Sequence, residues 1–136
     1  MLIEVDKRTY YTIFTFDPNP FISERFIELN SSKADKVVWL VCDDGEHNIG
    51  LVAGIKDGVL KSPFSAPFGG VHFRKENIYI SEIDKFINLL KQYSTANGLN
   101  GIEITMPPDL YHMTFNSKVS NSMFRHSFKS TVPDIT

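Results

Sequence analysis

The stretch Ser62-Pro63-Phe64-Ser65-Ala66-Pro67-Phe68-Gly69-Gly70-Val71 restricts the fold more than any other part of the chain. Each proline locks its own φ and biases the residue before it, Ser62 or Ala66, toward extended backbone. Gly69 and Gly70 allow positive φ or a close approach of another group to the main chain. The segment is therefore neither strand nor helix. Its prolines and phenylalanines are nonetheless too apolar for a solvated loop. It reads as a stiff, partly buried connection at a strand–helix junction, and connections held by a scaffold are where sites tend to lie. The competing reading is that it only packs over the sheet.

The flanking sequence supplies that scaffold. Val37-Val38-Trp39-Leu40-Val41-Cys42 is apolar without alternation, as expected of a strand buried on both faces. Ile49 to Ile55 is a second strand, in which Gly50 and Gly54 mark bulges or close backbone approach. Asp57-Gly58 between two apolar runs is a strong hairpin signal, and a third strand runs from Val59 into the Pro-Phe segment. A helix follows, with Ile83, Phe86, Ile87, Leu90 and Tyr93 at helical spacing. Ser81 and Asp84 are its expected cap, and Asn97-Gly98 its stop. In Gly101 to Met106, Ile102, Ile104 and Met106 alternate with Glu103 and Thr105, a strand closed by Pro107-Pro108. A further helix is expected over Asn116 to His126 and a last strand over Lys129 to Ile135.

Toward the N-terminus, Leu2 to Val5 and Tyr10 to Phe16 read as strands, the latter because it is aromatic and β-branched. A helix is expected from Pro20 to Asn30, with Asn19 as N-cap and Ile22, Phe26 and Leu29 on its buried face. A β-meander feeding a β-α-β unit implies an α/β domain with a mixed sheet and helices on both faces.

At 136 residues the chain reads as one domain, long enough for a hydrophobic core. Its net charge of −2 gives nucleic acid no basic field to bind. The lone Cys42 excludes an internal disulfide and fits a reducing, cytoplasmic compartment. The first residues lack the pattern of a secretory signal, and no apolar run approaches the ~20 residues that span a bilayer.

Cys42 ends an apolar strand and reads as a buried, inert thiol. His47, His72, His112 and His126 have no metal-ligand spacing, so no metal site is expected. His72 follows the Gly-Gly end and is placed to face the same cleft as Pro67 to Gly70, where an imidazole suits deprotonation of an amine. A surface or hydrogen-bonded histidine is the plainer reading. Arg74-Lys75-Glu76 is most simply a solvated turn.

The element order, with Ser62 to Gly70 ahead of the long helix and Ile102-Glu103-Ile104-Thr105-Met106-Pro107-Pro108 after it, resembles the GNAT acyltransferase superfamily. It looks most like the divergent branch akin to Fem-type aminoacyltransferases, in which two GNAT-like units stand in tandem. The resemblance covers roughly Pro20 to Thr136. It implies a GNAT-like domain over residues 1–136, with a second such unit as partner in a longer protein of which this would be the N-terminal half.

In that family an Arg/Gln-x-x-Gly-x-Gly/Ala loop holds the coenzyme A pyrophosphate at a helix N-terminus. Here the span Val71 to Ile80 lacks that glycine spacing, so no cofactor is expected in this chain. Acyl-CoA would come to a second unit or an atypical loop. The resemblance implies an N-terminal unit of an acyl or aminoacyl transferase acting on a small-molecule or peptide amine. Its candidate substrate-binding residues are Ser65, Phe68, Gly69 and Gly70. Glu103 and Tyr111 join His72 as candidates for chemistry, the carboxylate to bind or deprotonate an ammonium group and the phenol to donate a proton. Two alternatives stand beside this reading. One is a stand-alone binding module, homodimeric through an exposed Phe64/Phe68 patch. The other is a complete small N-acetyltransferase.

Overall fold

The two central strands alternate in what they bury, and that alternation sets the layers of the domain. In the computed structural model, residues 2–14, 23–42, 49–64, 69, 71–74, 78–106, 113–126 and 128 are described. Their elements are β1 (Leu2–Val5), α1 (Lys7–Ile13), α2 (Glu24–Asn30), a 3-10 turn (Ser31–Lys33), β2 (Lys36–Cys42), β3 (Ile49–Lys56), β4 (Val59–Ser62), β5 (Val71–Phe73), α3 (Ile80–Ala96), β6 (Gly101–Ile104) and α4 (Met113–Arg125). Val38, Leu40 and Cys42 of β2, with Ile49, Leu51 and Ala53 of β3, meet Ile83, Phe86, Ile87 and Leu90 of α3 and Val119 and Met123 of α4. On the opposite face Val41 and Val52 pack with Tyr10 and Phe14 from the α1 segment and Ile27 of α2. Helices thus cover both faces, as the meander and crossover pattern implies.

The sheet runs β1-β2-β3-β4-β6, with β5 also paired to β3. Its pairs are antiparallel except β4 with β6, which α3 joins as a parallel crossover. The hairpin between β3 and β4 turns on Asp57 and Gly58, both at positive φ (52° and 77°), the geometry that favours an Asp-Gly pair. The Asn100 N–H donates to the Gly58 carbonyl at 2.7 Å, tying this turn to the start of β6. Gly58→Ala is expected to cost about 1–2 kcal/mol in a urea melt, because a Cβ there is strained at this φ. It would also lie 2.8 Å from the Asn100 side-chain nitrogen.

Four expectations are corrected. The first concerns Tyr10 to Phe16, expected as a strand. Asp6 instead caps a helix by accepting the Thr9 N–H at 2.7 Å, and Lys7–Ile13 is helical. Helical spacing brings Tyr10 and Phe14 to the same side, over Gly50, where a Cβ would lie 2.6–2.9 Å from their ring carbons. Tertiary packing therefore overrides the β propensity of this run. Thr15 and Phe16 lie outside the described residues.

The second correction is to the next helix, which begins at Glu24 behind a Ser23 cap and ends at Asn30 as expected. Asn19, Pro20 and Ile22 lie outside the described residues. Ile27 is the buried residue, whereas Leu29 is 72% exposed. The third is the cap of α3. Glu82 accepts the Tyr79 N–H at 2.9 Å, and Asp84 turns instead to α4, accepting from Ser122 and Arg125. Those bonds, Arg125 first, hold the Asp84 carboxyl below its usual range.

The fourth is β5, a strand inside the connection between the Pro-Phe segment and α3. It re-pairs with β3 through Val71↔Leu51, His72↔Gly50 and Phe73↔Ile49. The strand expected over Lys129 to Ile135 lies outside the described residues.

Candidate functional site

One edge of β3 is shared between two strands. Gly54, Ile55 and Lys56 pair with β4, while Ile49, Gly50 and Leu51 pair with β5. The Pro-Phe segment leaves the sheet between them. Thr105, just past β6, holds the segment at both ends. Its N–H donates to the Ser62 carbonyl at 2.9 Å, and its own carbonyl accepts the Gly69 N–H at 2.9 Å.

Glycine is required at position 69 for steric reasons. A Cβ would lie 2.5–2.7 Å from the Ser62 side chain, the Ser62 carbonyl carbon and the Pro63 nitrogen. The Ser62–Pro63 peptide is cis. Phe64 turns to the α1/α2 face and packs on Gly54, where a Cβ would lie 2.6 Å from its ring and 2.8 Å from the Ala34 methyl. It is half-buried in the cluster with Val52 and Trp39. The glycines at 50, 54 and 69 are thus the close approaches on which this edge is assembled.

Glu103 lies two residues before Thr105 on β6 and is exposed, as the alternation predicts. Its carboxylate is 3.9 Å from the Lys61 ammonium, its register partner on β4. Both side chains are open to water, so the pair contributes little to stability and leaves the carboxylate available. Of the expected substrate-binding residues, Gly69 is placed beside this region. Ser65, Phe68, Gly70 and Tyr111 lie outside the described residues.

His72 does not converge on Glu103. Its register partner is Gly50 and that of Lys61 is Gly54, a separation of about 13 Å along β3. The imidazole is 2% exposed. Its Nδ1 shares a 2.5 Å hydrogen bond with the Tyr10 hydroxyl, and the Phe14 ring stacks on it with centroids 5.4 Å apart. Burial drives its pKa down to about 3, leaving it neutral. A general base needs access to its substrate and a pKa near working pH, so this environment suits a packed core histidine.

The Tyr10–His72–Phe14 cluster could not be anticipated from spacing, because its members are brought together by the sheet. Beside it, burial also raises the Tyr11 phenol, with the Trp39 indole opposing the shift. Among the described residues the buried indole N–H has no hydrogen-bond partner. On the other face Tyr93 donates to Glu4 at 3.1 Å, and burial raises its pKa to about 12.

Cys42 is buried, in keeping with an inert thiol. Among the described residues no His, Cys, Asp and Glu side chains gather into a metal site, and no helix is long and apolar enough to cross a membrane. The chain matches no protein-family model, no curated protein and no solved structure.

Proposed function

We propose that this chain is the N-terminal, GNAT-like unit of an acyl or aminoacyl transferase, and that it holds the amine acceptor rather than the acyl donor. The observation that carries the reading is the pair of hydrogen bonds at Thr105, its N–H to the Ser62 carbonyl and the Gly69 N–H to its own carbonyl. They join the two stretches that the resemblance singles out, the Pro-Phe segment and the end of β6. The strand order and the parallel β4–α3–β6 crossover are consistent with a GNAT-like arrangement.

In this reading the Glu103 carboxylate takes the ammonium group of the acceptor at the end of β6, where Thr105 holds Ser62 and Gly69. The ammonium gives one proton to the Glu103 carboxylate, its nitrogen then attacks the acyl carbonyl, and the amide forms as the donor's thioester or ester bond breaks, the leaving thiol or alcohol taking the nitrogen's second proton. Acyl-CoA or another activated acyl group is held by a second unit.

Calorimetric titration tests the reading. No heat is expected with coenzyme A or acetyl-CoA at millimolar concentration. A lysine-containing peptide is expected to bind, and Glu103→Gln to weaken it roughly tenfold, the loss of one charge-assisted hydrogen bond. Because Glu103 is exposed, the same variant should melt like the parent. Micromolar binding of coenzyme A would overturn the assignment in favour of a complete acetyltransferase. Absence of peptide binding, or equal binding by Glu103→Gln, would remove Glu103 as the acceptor site.

A further inference from the structure

The α1 segment covers a buried histidine. Tyr10, fully buried, shares its hydroxyl with His72 Nδ1, and Phe14 stacks on the same ring. Tyr11 adds an edge-on contact at 6.4 Å. Beside the imidazole, its register partner Gly50 presents only backbone. The charged groups of α1 and its cap do not reach His72. Asp6 and Arg8 are exposed, and Lys7 pairs with Glu28 of α2 at 3.6 Å. Glu24 of α2 acts on Tyr11, and Arg74, two residues beyond His72, is exposed. Among the described residues no carboxylate stands ready to balance an imidazolium.

We propose that α1 is an acid-released cover: protonation of His72 lifts α1 from the sheet while the β2–β3–α3 core stays folded. A charged imidazole surrounded by Tyr10, Phe14 and Gly50 must be hydrated, and two elements could move to admit water. Moving β5 would withdraw Val71 from the main core, where it is 4% exposed. Among the described residues, moving α1 disturbs the smaller cluster with Val41 and Val52 and the Lys7–Glu28 pair, not the main core. At seven residues α1 is also too short to persist alone, since isolated helices below ~12 residues are marginal. Local opening of such a segment costs less than global unfolding. Release would bare the α1-facing side of the sheet around Trp39 and Gly50, so the cover is a pH-dependent gate on that face.

The direction follows from linkage. Burial puts the folded-state value of His72 below the unfolded one near 6.5. Its stabilising contribution is therefore complete above pH ~6.5 and declines as pH falls toward the folded value. Opening should rise about tenfold per pH unit within that window. Asp6 and Asp84, whose carboxyls are held below 3.8, enter only in stronger acid.

Amide hydrogen exchange by NMR, corrected for intrinsic rates, tests the gate between about pH 7.5 and 5. The Tyr10 and Phe14 amides, donors to Asp6 and Tyr10 carbonyls, are expected to lose about thirtyfold in protection, with amides of β2 and β3 unchanged. His72→Asn should abolish the pH dependence. Should that variant not fold, Tyr10→Phe keeps the imidazole and should show lower protection with the same slope. Parallel loss of protection across the whole chain would overturn the proposal. So would a flat profile at Tyr10 and Phe14, or a slope that survives in His72→Asn.

Discussion

Tyr10→Ala is expected to lower the unfolding free energy by about 4–6 kcal/mol, most of the stability of an ordinary small domain. Tyr10 is fully buried between Gly50, Phe14 and His72. Emptying the ring site costs roughly 3–5 kcal/mol in transfer and cavity terms. The hydrogen bond to His72 disappears as well, leaving a buried nitrogen unsatisfied at about 1–3 kcal/mol. Tyr10→Phe separates the two contributions, because it keeps the ring and should show only the second. Urea melts of both variants measure the difference. A Tyr10→Ala loss below about 2 kcal/mol would mean that α1 adds little to global stability.

Gly69→Ala is expected to cost about 2–3 kcal/mol and to act on the candidate site directly. The added methyl would meet the Ser62 carbonyl carbon and the Pro63 nitrogen at 2.6–2.7 Å. These are backbone atoms, which cannot rotate away as the tip of a side chain could. Either Gly69 withdraws and loses its bond to the Thr105 carbonyl, or the β4 end shifts and loses the bond from the Thr105 N–H. Gly101→Ala is the control. A Cβ there meets nothing within 4 Å, so that variant should melt within about 0.5 kcal/mol of the parent. Equal melts for the two variants would show that the clamp yields at no cost. In the proposed function Gly69→Ala should also weaken acceptor binding beyond its effect on stability, through misplacement of the Pro-Phe segment.

These two sites separate what could be read in the chain from what could not. The meander, the Asp57-Gly58 turn, the α3 stripe and the alternation of β6 depend on local spacing, and each is legible because its pattern lies within one element. A bulge or a close approach at Gly50 and Gly54 was readable as a need, since glycine inside a strand is unfavourable without one. What approaches was not. Phe14 and Phe64 reach those glycines from segments with no local mark of the pairing.

The same limit applies to the candidate residues. Glu103 shows its exposure in the alternation of its strand. His72 carries no sign of burial, because Tyr10 lies 62 residues away and arrives on a helix that propensity assigns to a strand.

By itself, then, the sequence determined the strands β2, β3, β4 and β6, the long helix α3 and the mixed α/β class. These follow from backbone restriction and periodicity, which act over a few residues. Tertiary structure alone decided that residues 7–13 coil into a helix, that Val71–Phe73 rejoins β3, and that Thr105 closes the segment at both ends. Each of those outcomes depends on a contact between residues distant in the chain. Burial of an aromatic ring or pairing of a backbone N–H outweighs the fraction of a kcal/mol per residue by which local propensity prefers another state.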